Sequence, residues 1–246
     1  MQSFSKQRRE ITPWSAIGEF LNGMRMGEAS DESVLDHIGA ANPAIAPRSA
    51  PPLFNCRAKK VGAPAQLFPH AQRLNAAKAA ADPAVSGWLD MLERLRPFNI
   101  KGRIAGIHRY LANTDDLGAI ARVVRSLSWT GPVVRTHRDD QSGDAALARY
   151  VSLRHLGIHT ERLRLVWLSD SSGSADWIVT AILVDGQWLI LDQYYGDVVG
   201  DDAYLDALPY FSLNAEVCRL HWRPGDPAGA EGALRLLGGQ LKFGRA

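Results

Sequence analysis

Asp192 is a carboxylate at the end of an apolar run, and its position indicates where chemistry could occur. It directly follows Trp188 to Leu191, whose residue types favour a β-strand, and a carboxylate buried there is costly unless it is hydrogen-bonded. Asp185-Gly186 predicts a two-residue type I′ hairpin that sets Val179 opposite Asp192. Because side chains alternate along a strand, Trp177 is then a diagonal neighbour of Asp192 on the same face. A catalytic base and its orienting carboxylate would stand here, although an Asp192 that only ends its strand fits equally well.

Helices are expected ahead of this hairpin. Four segments are alanine-rich or carry apolar residues at helical spacing. They are Phe68 to Ala81, Val85 to Leu95, Ile100 to Leu111 and Leu117 to Leu127. A further helix is expected to begin at Ser142, a good N-cap, with Asp144 in the first turn where a negative charge suits the helix dipole.

After Gly157 the residue pattern predicts β-strands instead of helices. Residues with high strand propensity fill four segments. They are Arg162 to Leu168, Asp176 to Val184, Gln187 to Tyr195 and Phe211 to Trp222. Helices followed by antiparallel strands predict an α+β domain.

A separate helix is predicted near the start of the chain. A proline stands at its first position, and Trp14 and Phe20 belong to its single apolar stripe. The stripe packs on the protein's own core or inserts into a partner's groove, and the sequence leaves both open. The stretch from Gly39 to Pro52 is rich in proline, alanine and serine and reads as a linker, so we predict a domain boundary between residues 52 and 53.

Composition excludes several classes of protein. With 246 residues and 46% hydrophobic content, the chain can bury a sizeable core. Its net charge of +2 gives no general attraction to nucleic acid, and no apolar run is long enough for an integral membrane segment. Cys56 and Cys218 lie far apart in a chain without an export signal, so we expect reduced thiols and a cytoplasmic protein.

The stretch from Ser142 to Asn214 resembles the bacterial transglutaminase-like cysteine proteinase family, on five matching segments. They are Ala148 to Ile158, Arg162 to Trp167, Trp177 to Val179, Leu191 to Gln193 and Phe211 to Asn214. Active members of the family are known as periplasmic proteases that cut large surface adhesins. The resemblance implies a transglutaminase-like, papain-like core for residues 53–246.

The same resemblance implies a changed catalytic triad. Aligned without gaps, the family's cysteine falls on Ser142, its histidine on Trp177 and its aspartate on Asp192. A second register, which needs a short deletion, places Ala145 at the nucleophile instead. Only the aspartate is retained in either register.

Metal binding is not expected. The family's acidic residues that flank the cysteine can bind calcium, and the corresponding positions here are Gln141 and Gly143. His155 and His159 are spaced like a metal-binding pair, but Gly157 should end the helix between them and separate the two side chains.

Ser142 lacks an evident base. A serine hydroxyl needs a positioned acceptor for its proton, and the indole of Trp177 offers an N–H donor and no such acceptor. His137, in the loop before Ser142, is the histidine nearest to it in sequence. A surface or capping role explains His137 more simply.

The sequence therefore predicts a pseudoenzyme and not an enzyme: a catalytically inactive transglutaminase-like domain that binds a protein partner or acts as a regulatory scaffold. The contact surface would be the former substrate cleft at Trp177 or the N-terminal helix with Trp14 and Phe20. No cofactor, nucleic acid or small-molecule substrate is expected. The alternative is an active hydrolase or acyltransferase that uses Ser142 or an unrecognised nucleophile.

Overall fold

The structure is a computed structural model that describes residues 44, 46–47, 50–62, 82–128, 140–171 and 176–226. All of them belong to the second of the chain's two compact units, Ala40–Ala246. The predicted N-terminal helix with Trp14 and Phe20, the predicted helix from Phe68 to Ala81, and His137 lie outside the described residues. The domain boundary after residue 52 stays a prediction.

In the described part of the chain, four α-helices precede the sheet residues that form the site. They are α1 (Pro83–Leu95), α2 (Ile100–Asn113), α3 (Leu117–Ser128) and α4 (Asp140–His155). Side-chain caps begin the first two: Asp82 accepts from the N–H of Ala84, and Asn99 accepts from that of Gly102. None of the helices in the described ranges combines the length and hydrophobicity needed to cross a membrane.

Seven strands form one antiparallel sheet in the described part of the chain. They are β1 (Arg57–Gly62), β2 (Leu163–Asp170), β3 (Asp176–Val184), β4 (Gln187–Leu191), β5 (Val199–Gly200), β6 (Ala207–Leu213) and β7 (Cys218–Trp222). Their order across the sheet is β1-β7-β6-β2-β3-β4-β5. The predicted α+β class, helices followed by an antiparallel sheet, is confirmed.

The predicted hairpin and its register are also confirmed. Asp185 and Gly186 both have positive φ, 50° and 81°, as a type I′ turn requires. Val184 pairs with Gln187 across the turn. The pairing continues in this register to the end of β4 and brings residue 192 beside β3.

Two predicted strands were too long. β4 ends at Leu191 because the Asp192 carboxylate turns back to accept the N–H of Tyr194 at 2.9 Å. The segment predicted as one strand, Phe211 to Trp222, is the end of β6, a turn and β7. Asn214 makes that turn, because its side-chain oxygen accepts two backbone N–H groups of the residues that follow.

The two faces of the sheet are covered differently. Helix α4 packs on one face, where Thr180 Oγ1 donates to the carbonyl of Ala146 at 2.7 Å. On the other face the indole of Trp188 donates to the carbonyl of Pro51 at 2.9 Å, and Leu53 joins the core cluster. Residues at the end of the predicted linker therefore contact the sheet.

Candidate functional site

The structure brings two of the three triad-like positions, Trp177 and Asp192, into contact and places Ser142 against the neighbouring residue of β3. Ser142 Oγ, in the first turn of α4, accepts the backbone N–H of Ile178 in β3 at 3.4 Å. The preceding residue in β3, Trp177, donates its indole N–H to Asp192 Oδ2 at 3.2 Å. The proximity of Trp177 to Asp192 predicted from the hairpin is correct. The start of α4 lies on one face of β3, whereas the Trp177 side chain packs with the core cluster on the other.

Ser142 does not cap its helix as predicted. Helix α4 begins at Asp140, so Ser142 is its third residue, and its side chain is 1% exposed. Its oxygen accepts the N–H of Ile178 in β3, because α4 packs against the sheet there. Ala145, the nucleophile position of the second register, is fully buried and carries only a methyl group.

Asp192 accepts three hydrogen bonds although its side chain is 1% exposed. The donors are the indole of Trp177, the hydroxyl of Tyr204 at 3.0 Å and the backbone N–H of Tyr194. Burial raises the pKa of the carboxyl group, while these bonds and the charge of Arg149 act to lower it. The carboxylate is therefore held in place, with its oxygens engaged by the fold.

Arg149 supplies positive charge beneath Asp192. It projects from α4, is fully buried, and donates from Nη2 to Gln193 Oε1 at 2.8 Å, while Nε and Nη1 have no hydrogen-bond partner. Burial lowers its pKa to about 10, and the negative charge of Asp192 opposes that shift. The guanidinium is thus protonated at neutral pH and balances Asp192. Sequence reasoning missed it, because an arginine between alanine and tyrosine in a helix reads as a surface residue.

His108 is a second missed group. It is 3% exposed on α2, and its Nε2 lies 3.1 Å from the carbonyl oxygen of Tyr195. A carbonyl only accepts, so the ring proton is on Nε2. Burial and then the charge of Arg149 lower the pKa of His108 to about 4, so the ring is neutral at physiological pH. Its helical spacing from Ile104 and Leu111 was the available sequence signal, because it marks a core-facing position.

Trp177 is partly buried and packs against the hydrophobic core cluster of the sheet. Its indole N–H is used by Asp192. An indole cannot take a proton from a hydroxyl, so nucleophilic chemistry at Ser142 would need an acceptor other than Trp177. The described contacts hold the buried carboxylate of Asp192 in place and fix the backbone of the residues that follow it.

Three large apolar side chains close in sequence to this buried network are exposed. Tyr194, Tyr195 and Leu205 are 53%, 52% and 79% exposed, and together they are called the aromatic surface below. The Tyr195 ring lies 5.3 Å from the ring of Tyr204, which bonds Asp192. The surface is therefore built directly on the site.

The remaining histidines considered from the sequence serve local structure. His155 Nε2 lies 3.3 Å from Glu93 Oε1, and His159 Nδ1 accepts the N–H of Glu161. Gly157 between them has φ 86° and ends the helix, as predicted. The two rings therefore have separate partners.

The two cysteines are free thiols. Cys56 is 4% exposed, and burial raises its pKa, which disfavours the reactive thiolate. Burial also raises the pKa of Cys218, which begins β7.

The fold and site define an α+β domain whose helix start faces the middle of an antiparallel sheet. No protein-family model and no curated protein sequence matches the chain. The chain is similar to solved structures of Legionella pneumophila LapG.

These matches are distant. The calcium-bound form shares 14% identity at a TM-score of 0.47, covering 67% of this chain and 97% of LapG. A second LapG structure shares 16% identity at 0.46, with 70% and 97% covered. The EGTA-treated form shares 15% identity at 0.46, with 70% and 100% covered. At such identity the likeness concerns the fold alone.

The prediction that this chain is not an enzyme is corrected by the comparison. The likeness to LapG concerns the fold alone, and neither it nor the described residues exclude catalysis. The inference rested on residue types at two aligned positions, Ser142 and Trp177. A substitution shows only that the family's residue is absent at that position. Other residues of the chain could still act in catalysis.

Proposed function

We propose that this transglutaminase-like domain is a protein-binding module that contacts its partner through the aromatic surface of Tyr194, Tyr195 and Leu205. The observation that carries the proposal is their exposure. The described residues include four large exposed apolar side chains, and three of them lie within the short segment 194–205. Val61, 46% exposed in β1, is the fourth and stands in the strand at the opposite edge of the sheet from β5.

The residue types suit recognition of protein. Tyrosine offers a large apolar face and a polar tip at a low cost in side-chain entropy, and it is enriched at protein interfaces. A polar or small-molecule site would be concave and enclosed, whereas these rings are half in solvent.

The surface is also held rigid from below. The backbone N–H of Tyr194 donates to Asp192, the carbonyl of Tyr195 accepts from His108, and the Tyr195 ring rests on Tyr204. Association costs less when the contact residues are already ordered, so these bonds favour binding without a rearrangement of the loop.

A selection from a displayed random-peptide library tests the proposal. The purified full chain is the bait, and the affinity of selected peptides is measured for the wild type and for Tyr194→Ala with Tyr195→Ala. We expect a loss of at least about tenfold, as for truncated aromatic anchors.

Val61→Ala is the matched control, because it removes an equally exposed apolar group elsewhere and should leave affinity unchanged. Peptides that bind wild type and the double tyrosine variant equally would contradict the proposal. Circular dichroism of each variant shows that the fold is retained.

Catalysis is measured in parallel on the same protein. A serine-directed acylating probe and broad peptide substrates report hydrolase or acyltransferase activity, and Ser142→Ala identifies the labelled group. Labelling that disappears in this variant would assign a nucleophile to α4. Labelling that persists would direct the search to another residue.

A further inference from the structure

A second polar cluster lies on strands β2, β6 and β7. Ser212 in β6 is the direct cross-strand partner of Arg219 in β7 and of Val166 in β2. Val166 belongs to the hydrophobic core cluster, so Ser212 and Arg219 stand on the same face of the sheet as that cluster. Arg164, two residues before Val166 in β2, stands on this face too. Two arginines and a serine therefore share one face on adjacent strands.

His221 completes the group by direct contact. Its Nε2 lies 2.7 Å from Ser212 Oγ, and it follows Arg219 by two residues in β7, on the same face. The guanidinium of Arg164 is oriented by an aromatic ring, since it lies 5.6 Å from the ring centroid of Trp188. Arg164, Ser212, Arg219 and His221 are called the arginine cluster below.

Several polar atoms of the arginine cluster are buried without a partner. Arg164 and His221 are 6% and 3% exposed, and Arg219 is partly buried. Within the described part of the chain, Arg164 Nη1, Arg219 Nη1 and His221 Nδ1 have no hydrogen-bond partner. Buried polar atoms in folded proteins are nearly always paired with protein, water or an ion. The fold thus leaves buried donors on β2 and β7 without a protein acceptor.

Positive charge is in excess at the arginine cluster. Burial and then the charge of Arg219 lower the pKa of Arg164 to about 10, so both arginines are protonated at neutral pH. Lys60, the cross-strand partner of Arg219 in β1, is exposed and adds a third cation. The charge of Glu161 acts on both arginines, but no hydrogen bond joins it to either guanidinium within the described ranges. A further anion would therefore balance the cluster.

The Ser212–His221 pair is suited to donating a hydrogen bond and not to nucleophilic catalysis. Burial and the charges of both arginines lower the pKa of His221 to about 3, so the neutral ring is a weak base. In either tautomer one donor stays available. It is Nδ1–H when the Ser212 hydroxyl donates to Nε2, and the hydroxyl when Nε2–H donates to Ser212 Oγ.

Donors on three adjacent strands match an anion with oxygens in several directions. Guanidinium groups bind tetrahedral oxyanions through short, charge-assisted hydrogen bonds, and a neutral hydroxyl or imidazole N–H adds to them. We propose that the arginine cluster binds a small free oxyanion of the phosphate and sulfate class, held by Arg164, Arg219 and the Ser212–His221 pair. The ion is free and not part of a phosphorylated macromolecule, because Arg164 and His221 are almost completely buried. This site is independent of the aromatic surface.

Calorimetric titration of the full chain with inorganic phosphate tests the proposal, with ionic strength held constant by chloride. Wild type should bind saturably, and Arg219→Gln should lose at least about tenfold in affinity because a charged donor is removed. Arg57→Gln is the matched control, since Arg57 is exposed in β1 and, as the partner of Trp222, lies on the opposite face. The control should bind phosphate like wild type.

Two further titrations define the ligand and the donors. Sulfate should bind to wild type, whereas phenyl phosphate should bind at least about tenfold more weakly because the donors are enclosed. Ser212→Ala removes a hydroxyl and no charge, and it should weaken phosphate binding about fivefold. This second variant keeps both arginines, so it tests the site without altering its charge.

Thermal unfolding separates an anion site from a purely structural role. In chloride alone, Arg219→Gln should be no less stable than wild type, because it removes a positive charge that acts on Arg164. Phosphate should raise the melting temperature of wild type and of Arg57→Gln, and leave that of Arg219→Gln nearly unchanged.

Three results would overturn the proposal. They are the absence of saturable phosphate and sulfate binding to wild type, equal phosphate binding by wild type and Arg219→Gln, and phenyl phosphate that binds as tightly as phosphate. An Arg219→Gln variant that loses stability in chloride and keeps its affinity for phosphate would assign Arg219 to the fold alone. None of these results bears on the aromatic surface, whose peptides are measured separately.

Discussion

Asp192 and Tyr195 lie three residues apart and are treated in opposite ways by the fold. Asp192 is 1% exposed and accepts three hydrogen bonds, whereas the side chain of Tyr195 is 52% exposed. The buried half of this region, Asp192 with its hydrogen-bond partners and Arg149, uses charge and hydrogen bonds to fix the chain. The exposed half, the side chains of the aromatic surface, offers apolar area that no neighbour covers fully. Substitutions at these two positions should therefore separate the stability of the fold from the proposed recognition.

The largest effect should come from Asp192→Ala. The change leaves three donors without an acceptor and Arg149 buried without its countercharge, so we expect a loss of about 3–5 kcal/mol in the free energy of unfolding. Urea denaturation measures it. Asp192→Asn keeps the shape and one acceptor oxygen and should cost less. Equal, small losses for both variants would show that the buried half does not fix the chain.

The second largest effect should come from acid, which lowers the free energy of unfolding by protonating His108. The folded-state pKa of His108 is about 4, below its ordinary 6.5, so the stability it contributes is complete above pH 6.5 and is lost as pH falls towards 4. The loss should be roughly 3 kcal/mol. His221, with a pKa of about 3 for the same cause of burial, adds to it.

His108→Gln removes the titrating group and keeps a donor for the carbonyl of Tyr195. Between pH 4 and 6.5, the free energy of unfolding of this variant should therefore change less with pH than that of wild type. Asp192, whose pKa is raised, acts in the opposite sense above pH 3.8 in both proteins, so the difference isolates His108. If the free energy of unfolding changed with pH as in wild type, His108 would not be the group that makes the fold sensitive to acid.

A smaller effect is expected from Trp177→Phe. The ring still packs on the core cluster, but Asp192 loses one donor, so the cost should be about 1 kcal/mol. Trp177→Ala also leaves a cavity and should cost about 3 kcal/mol or more. Thermal unfolding of both variants separates the hydrogen bond from packing. If the two variants lost equal stability, packing of this ring would contribute little.

The smallest effect on stability should come from Tyr194→Ala. Its backbone N–H still donates to Asp192, and the lost side chain is 53% exposed, so the change should stay within about 0.5 kcal/mol. Peptide affinity measured on the same sample should fall by about tenfold. If the variant lost stability and kept its affinity for peptide, Tyr194 would serve the fold and not binding, contrary to the prediction.

The hairpin shows how much of the site the sequence could predict. Asp185 and Gly186 specify their turn through their own backbone preferences, so the register and the approach of Trp177 to Asp192 follow from local rules. The helices α1 to α3 were predicted to within about two residues at each end for a similar reason, since apolar spacing reports a buried face.

What the sequence missed depends on contacts between distant segments. Arg149 and His108 acquire their roles from Asp192, Gln193 and Tyr195, which belong to the other end of the domain. Local pattern gives no reason for a buried arginine, and it cannot tell an exposed tyrosine from a buried one at the end of a strand.

The sheet order has a consequence for how the domain assembles. The β3–β4 hairpin joins neighbours in sequence, whereas β1 pairs with β7 from the opposite end of the described chain. Closing a long loop costs more entropy and slows the contact that requires it. In pulsed hydrogen exchange during refolding, amides of β3 and β4 should become protected before those of β1. The carboxylate of Asp192 would then find its place on β3 while the far edge of the sheet is still open.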